Sequence, residues 1–147
     1  MNKDFNTWNT KKQKINDKIF NRELFFRPGE LWECSFGINI GVEIDGKRED
    51  YQRPALIIKK FNGDMLWVLP LTTKFKNTKY HHKLHSSSID TYVVLSQIRT
   101  ISSKRLLRRI GRIAGSDFGN IIKKLTEIIN DESPLAGAFS EAEATNE

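Results

Sequence analysis

The stretch RPALIIKKFNGDMLWVLPLTT, residues 53–73, decides the fold. Its arms, Pro54 to Lys60 and Met65 to Leu71, are β-rich runs, and the Asn62-Gly63 between them tolerates the positive φ angles of a tight turn. A β-hairpin is therefore expected here. Upstream, after the break at Pro28-Gly29, Leu31 to Phe36 alternates Trp32, Cys34 and Phe36 onto one face, as a strand does. Gly37 to Gln52 carries Gly41, Gly46, Glu43, Asp45, Glu49 and Asp50 without a sustained period, and reads as a long loop of the kind that often serves function.

Downstream, Lys79 to His85 reads as a strand with Tyr80, His82 and Leu84 on one side and His81, Lys83 and His85 on the other. Thr91 to Ile101 reads as a longer strand in which Val93, Leu95, Gln97, Arg99 and Ile101 share a face. Ser102 to Arg109 suits one or two helical turns, and Ile110 to Ile113 a short closing strand. Phe118, Ile121, Ile122, Leu125, Ile128 and Ile129 mark an amphipathic helix that Ser116 or Asp117 would cap. At the other end Phe5, Trp8, Ile15 and Ile19 recur at helical spacing. The chain is expected to be mainly β, a small β-barrel with a C-terminal helix and an added N-terminal helix. Its divisions are 1–26, helix and linker; 27–130, the barrel; and 131–147, an acidic tail too polar to bury much surface.

A chain of 147 residues has room for one core that needs no disulfide. The single cysteine, Cys34, has no partner, and no paired Cys/His spacing offers a structural zinc site. Met1 to Lys14 lacks the apolar core of a secretory signal, and no run of about 18 apolar residues occurs. A cytoplasmic protein without membrane contact is the expectation. The formal charge is +6, but residues 131–147 hold five acids and no Lys or Arg, so residues 1–130 carry +11. Such a domain attracts polyanions, nucleic acid among them, although solubility or an acidic partner would account for the charge equally well.

Six short motifs narrow the choice: Arg27-Pro28-Gly29-Glu30-Leu31-Trp32, Asn39-Ile40-Gly41-Val42-Glu43, Arg53-Pro54-Ala55-Leu56-Ile57-Ile58, Pro70-Leu71-Thr72-Thr73, Gln97-Ile98-Arg99-Thr100-Ile101 and Lys104-Arg105-Leu106. In this order and at this spacing, over about residues 27–128, the chain resembles the PemK/MazF toxins. The resemblance implies an SH3-like barrel of the PemK/MazF/CcdB type, assembled as a homodimer. It also implies the toxin of a type II toxin–antitoxin pair, an endoribonuclease (mRNA interferase) acting on single-stranded RNA and held in check by a cognate antitoxin. Neither metal nor other cofactor is expected: the ribose 2′-OH attacks the adjacent phosphodiester and leaves a 2′,3′-cyclic phosphate and a 5′-OH.

That chemistry needs a proton acceptor, donors for the charge that develops on phosphorus, and a proton for the leaving oxygen. Arg53 matches the arginine of the family's RP motif. A guanidinium is a poor base and a good bidentate phosphate ligand, so its role is mainly charge stabilisation, with protonation of the leaving group second. Thr72, the threonine of the PLT motif, is a candidate donor to the scissile phosphate, and Thr73 its bland neighbour. Glu43, the acid of the GxE motif, is the candidate base, with a solvated loop carboxylate as the competing reading; its interval to Arg53 is longer than in compact relatives. Gln97 and Arg99 match the QxR strand, Arg99 as a second phosphate ligand and Gln97 more as a partner for backbone groups.

Some relatives carry an aspartate three residues after that arginine, where this chain has Ser102, and a hydroxyl cannot act as that base. An imidazole is the natural alternative. His82 or His81 is expected to contact RNA, with an exposed polar edge as the competing reading. Arg105, Arg108, Arg109 and Arg112, at helical spacing, form with Lys104 a basic group suited to an RNA backbone or an acidic antitoxin. Two other functions fit the same barrel: a non-catalytic gyrase poison, and a nucleic-acid-binding module that has lost activity.

Overall fold

A computed structural model of the chain describes residues 2–19, 24–85 and 90–131. Helix α1, Phe5–Asn16, is followed by strands β1, Glu30–Ser35; β2, Gln52–Lys60; β3, Met65–Thr72; β4, His81–Lys83; β5, Tyr92–Val94; β6, Arg99–Ser102; and β7, Leu106–Arg112. Helix α2, Gly115–Asn130, closes the described chain. The strands pair antiparallel in the order β4-β5-β3-β2-β1-β7, with β6 also on β3. This sheet with its two helices is the mainly β architecture expected from the sequence. The proposed tail lies, beyond Asp131, outside the described residues.

Strands β2 and β3 bury both faces. Ala55, Ile57, Leu66 and Val68 join Phe26, Trp32, Cys34, Phe36, Ile101 and Leu106 in one cluster. Leu56, Ile58, Leu69 and Leu71 join Val93, Leu95, Ile113 and, from α2, Ile121 and Leu125 in a second. Two covered faces explain why these strands read as nearly continuous apolar runs rather than as an alternation.

The 53–73 hairpin forms, with Ala55 opposite Pro70 and Lys60 opposite Leu66, but its turn differs from expectation. Neither Asn62 nor Gly63 has positive φ. Instead the Asn62 carboxamide oxygen accepts the N–H groups of Asp64 and Met65, at 2.8 and 2.9 Å. The side chain supplies the turn that backbone conformation was expected to supply.

Four other expectations change. The strand foreseen over Thr91 to Ile101 is broken by a 3₁₀ turn at Leu95–Gln97, so Gln97 and Arg99 do not extend the row of Val93 and Leu95. Only Ser103–Arg105 is helical in the basic segment. Pairing with β1 draws Leu106–Arg112 into a strand, so the four arginines share no helical face. Arg109 Nε pairs with Glu30 Oε2 at 3.0 Å, while Arg105 Nη1 donates to the Ser35 carbonyl at 2.9 Å. The N-cap of α2 is Ala114 rather than Ser116 or Asp117. On α1, Trp8 alone is buried; Phe5 is 48% exposed, and Ile19 lies past the end of the helix, 94% exposed.

Candidate functional site

The site grows from the hairpin register. Ala55 faces Pro70, so continuing the ladder by two residues sets Arg53, at the start of β2, opposite Thr72, at the end of β3. Arg53 is buried, its Nη1 donating to the Leu71 carbonyl at 3.0 Å and its Nε to the Asp45 carbonyl at 2.6 Å. Those bonds fix the plane of the guanidinium. Burial pulls its pKa down, and the nearby Asp45 carboxylate opposes that. Thr72 Oγ1 accepts the Lys74 N–H at 3.2 Å, which leaves its own O–H free to donate outward.

Both residues line a cavity of about 280 Å³ together with Lys47, Lys74, Lys76, His81, Ser96 and Gln97. Its donors are cationic or neutral, and among the described residues no carboxylate lines it. His81 Nδ1 is held at 2.7 Å by Thr78 Oγ1. Burial, then the Lys76 charge, pushes the imidazole below its ordinary value of 6.5, so it is neutral near pH 7. Lys47 is likewise shifted down, by burial first and then by Arg53, Lys74 and Arg48. Its ammonium is a better proton donor than that of an ordinary lysine.

A second cavity of about 280 Å³ adjoins the first, sharing Ile44, Ser96 and Gln97 with it and adding Asn39, Glu43, Ile98 and Arg99. The sequence-derived set thus divides. Arg53, Thr72, His81 and Gln97 come together, whereas Glu43 stands beside Arg99 in the second cavity and its Oε1 accepts the Ile40 N–H at 2.9 Å. Burial lowers the Arg99 pKa and Glu43 raises it. Gln97 ties down the loop: its Nε2 donates to the Val42 carbonyl at 2.9 Å and its Oε1 accepts the Ile44 N–H at 3.1 Å. Thr73 is exposed and lines neither cavity. Ser102 Oγ accepts the Lys104 N–H at 3.2 Å, a local cap on the 3₁₀ turn.

His82 is the clear correction among the expected RNA contacts. It is buried under α2, with Nδ1 2.9 Å from Lys124 Nζ and Nε2 3.5 Å from Asp117 Oδ1. The ammonium has no lone pair, so it donates to Nδ1 and the ring proton sits on Nε2, toward Asp117. Burial first, then Lys124, lowers the His82 pKa against the opposing pull of Asp117. Above pH 6.5 folded and unfolded chains both hold a neutral ring, and the stabilisation is complete; as the pH falls below 6.5 the unfolded chain binds the proton first, and stability drops toward the folded pKa. His82→Gln is therefore expected to make the acid-side decline in melting temperature shallower, as thermal melts at a series of pH values would show. Some decline stays, because His81 is shifted the same way.

A wider hollow of about 670 Å³ lies beyond His81, between Thr78-Lys79 and the end of α2. It holds none of Arg53, Thr72 or Glu43, so the donors rather than the volume single out the site. Among the described residues no group of three His, Cys, Asp or Glu stands close enough to hold a metal. Unpaired bases stack on exposed aromatic rings; Phe36 is buried, whereas Phe75 is 69% exposed and rests edge-on against Tyr92 between the cavity-lining Lys74 and Lys76. Lys47, Lys74 and Lys76 had no motif to announce them; their one sequence signal was a place in the loops adjoining Arg53 and Thr72.

Residues 27–129 match the family model described as PemK-like, MazF-like toxin of type II toxin-antitoxin system. The endoribonuclease MazF9 of Mycobacterium tuberculosis is 25% identical over 116 residues, covering 67% of this chain and 92% of that protein. The fold is similar to that of MazF from Deinococcus radiodurans, with a TM-score of 0.64 at 19% identity, over 74% of this chain and all (100%) of the other. It is also similar to an endoribonuclease from a mycobacterial species solved with its cognate antitoxin, with a TM-score of 0.57 at 16% identity over 75% of this chain and 100% of that one. No helix among the described residues is long and apolar enough to cross a membrane.

Proposed function

Because the chain belongs to the PemK-like, MazF-like family of type II toxins, we propose that it is a toxin endoribonuclease whose chemistry is carried out by Arg53, Thr72, His81 and Lys47. The observation that carries this reading is the single cavity in which an oriented guanidinium, a free hydroxyl donor and a neutral imidazole meet three lysines. Residues 27–130 are the catalytic unit. In the reaction, neutral His81 takes the proton of the ribose 2′-OH as O2′ bonds to phosphorus. Arg53 and Thr72 hold the non-bridging oxygens as negative charge accumulates. The P–O5′ bond breaks, and Lys47 gives the leaving O5′ its proton. A 2′,3′-cyclic phosphate and a 5′-OH remain, and no metal is needed for any of these steps.

Glu43 takes no part as base in this scheme; with Arg99 it serves the neighbouring nucleotide in the second cavity. The substrate is single-stranded RNA, since the scheme needs a 2′-OH free to reach its own phosphate and bases open to Phe75. The protein acts as a homodimer in the cytoplasm under the control of a cognate antitoxin. The edge strand β7, with Leu107 37% and Ile110 50% exposed, supports a dimer contact.

Purified protein incubated in EDTA with a long single-stranded RNA, followed by mapping of the ends, tests the reading. Discrete cuts ending in cyclic phosphate are expected. Intact RNA at high concentrations of folded protein would favour a gyrase-directed toxin or an inactive binding module instead. Lys74→Gln with Lys76→Gln is expected to raise KM more than it lowers kcat, and to flatten the slope of log affinity against log salt by about 0.7 per lysine. An unchanged slope in a salt titration would place the RNA backbone elsewhere.

A further inference from the structure

Helix α1 precedes the family match, and its side chains reach the loop, residues 36–51, that walls both cavities. Just ahead of the helix, Lys3 Nζ donates to the carbonyls of Asn39 and Gly41, at 2.7 and 3.2 Å, and pairs with Asp45 Oδ2 at 3.2 Å. Three acceptors for one ammonium satisfy all its donors. Trp8, 5% exposed, is pressed onto Gly37, where φ is +74° and a Cβ would lie 2.1 Å from the indole. Its ring meets Tyr51 edge-on, 5.5 Å between centroids, while Lys11 donates to the Asp50 carbonyl at 3.0 Å. The helix thus grips both ends of the loop, and Lys3 its middle.

From there the path to the chemistry is short. The Asp45 carboxylate accepts the Asn39 N–H at 2.6 Å, and the Asp45 carbonyl accepts Arg53 Nε at 2.6 Å. Lys3 therefore holds the residue that holds the guanidinium. A loop rich in glycine and charge buries too little apolar surface to offset the entropy of one conformation, so an outside anchor decides how well Arg53 is oriented. We propose that Lys3 and Trp8 are positioning residues for RNA cleavage and that α1 is a brace which keeps Arg53 aligned through Asp45. The inference rests on the reading of Arg53 as the phosphate-holding group.

The test uses full-length Lys3→Met, Lys3→Arg, Trp8→Ala and Arg53→Ala proteins, with kcat and KM measured on one RNA oligonucleotide alongside thermal melts. Lys3→Met should melt within a few degrees of wild type and lose about tenfold in kcat, with KM within about twofold. Lys3→Arg should recover most of that loss, and Trp8→Ala should repeat it. Wild-type kcat in Lys3→Met beside an inactive Arg53→Ala would overturn the brace and leave the Arg53 reading intact. A loss carried by KM, or one that Lys3→Arg does not relieve, would also overturn it. An active Arg53→Ala would remove the Arg53 reading, and the brace with it.

Discussion

Replacing Arg53 by alanine is expected to lower kcat for RNA cleavage by about a thousandfold or more while leaving the protein folded. The magnitude follows from where the charge appears. An oriented donor aimed at developing negative charge in a partly dry site contributes about 10² to 10³ in rate, and here a full guanidinium charge is lost with it. The fold should weaken without collapsing. The carbonyls of Leu71 and Asp45 lose their Arg53 partners, a cost of about 1–3 kcal/mol. Arg53→Lys should regain the charge but not the two-point grip, and stay well below wild type. Activity within tenfold of wild type in a folded Arg53→Ala protein would take the centre out of the mechanism.

The second large effect belongs to His81. Asparagine there should reduce kcat/KM by about 10² to 10⁴, the usual worth of a positioned general base. The pH profile carries the more specific signature. A base must be neutral to accept a proton, and burial with Lys76 lowers the His81 pKa below 6.5. Wild-type kcat/KM should therefore climb with unit slope through a midpoint below 6.5 and be level near neutrality, whereas His81→Asn should lack that acidic limb. If the limb persists in His81→Asn and disappears in Glu43→Gln, the base is the loop carboxylate after all.

Much of this was legible before any coordinates. The 53–73 hairpin stands out because its arms are long and apolar and its turn is polar, whereas the register that brings Arg53 toward Thr72 includes a shift between Ile57 and Lys59 that the sequence does not announce. What escaped reading depends on contacts from afar. Residues 102–109 suit helical turns by spacing, yet β1 offers Leu106 to Arg109 a ladder that runs on into the expected closing strand, and tertiary pairing overrides weak local preference. Gln97 leaves its row because the turn at Leu95–Gln97 lets it reach the loop carbonyl of Val42. The placing of Glu43 in the cavity beside that of Arg53 and His81 has the same origin. Where Glu43 points depends on how the loop is tied by Lys3, Asn39 and Gln97, and no local pattern encodes that.

Strand β3 bonds with β2 along one edge and with β6 and then β5 along the other. Its partners on that second edge come from much later in the chain, so their closure is non-local and slow relative to hairpin formation. Thr72 stands at the end of β3, and His81 belongs to a strand that pairs with β5 and packs under α2. Thr72 and His81 therefore come to share one cavity only when the later strands dock. A nascent chain that has made nothing beyond its first hairpin lacks the later residues of both core clusters as well as the assembled site, so activity arrives with the final folding step rather than by degrees.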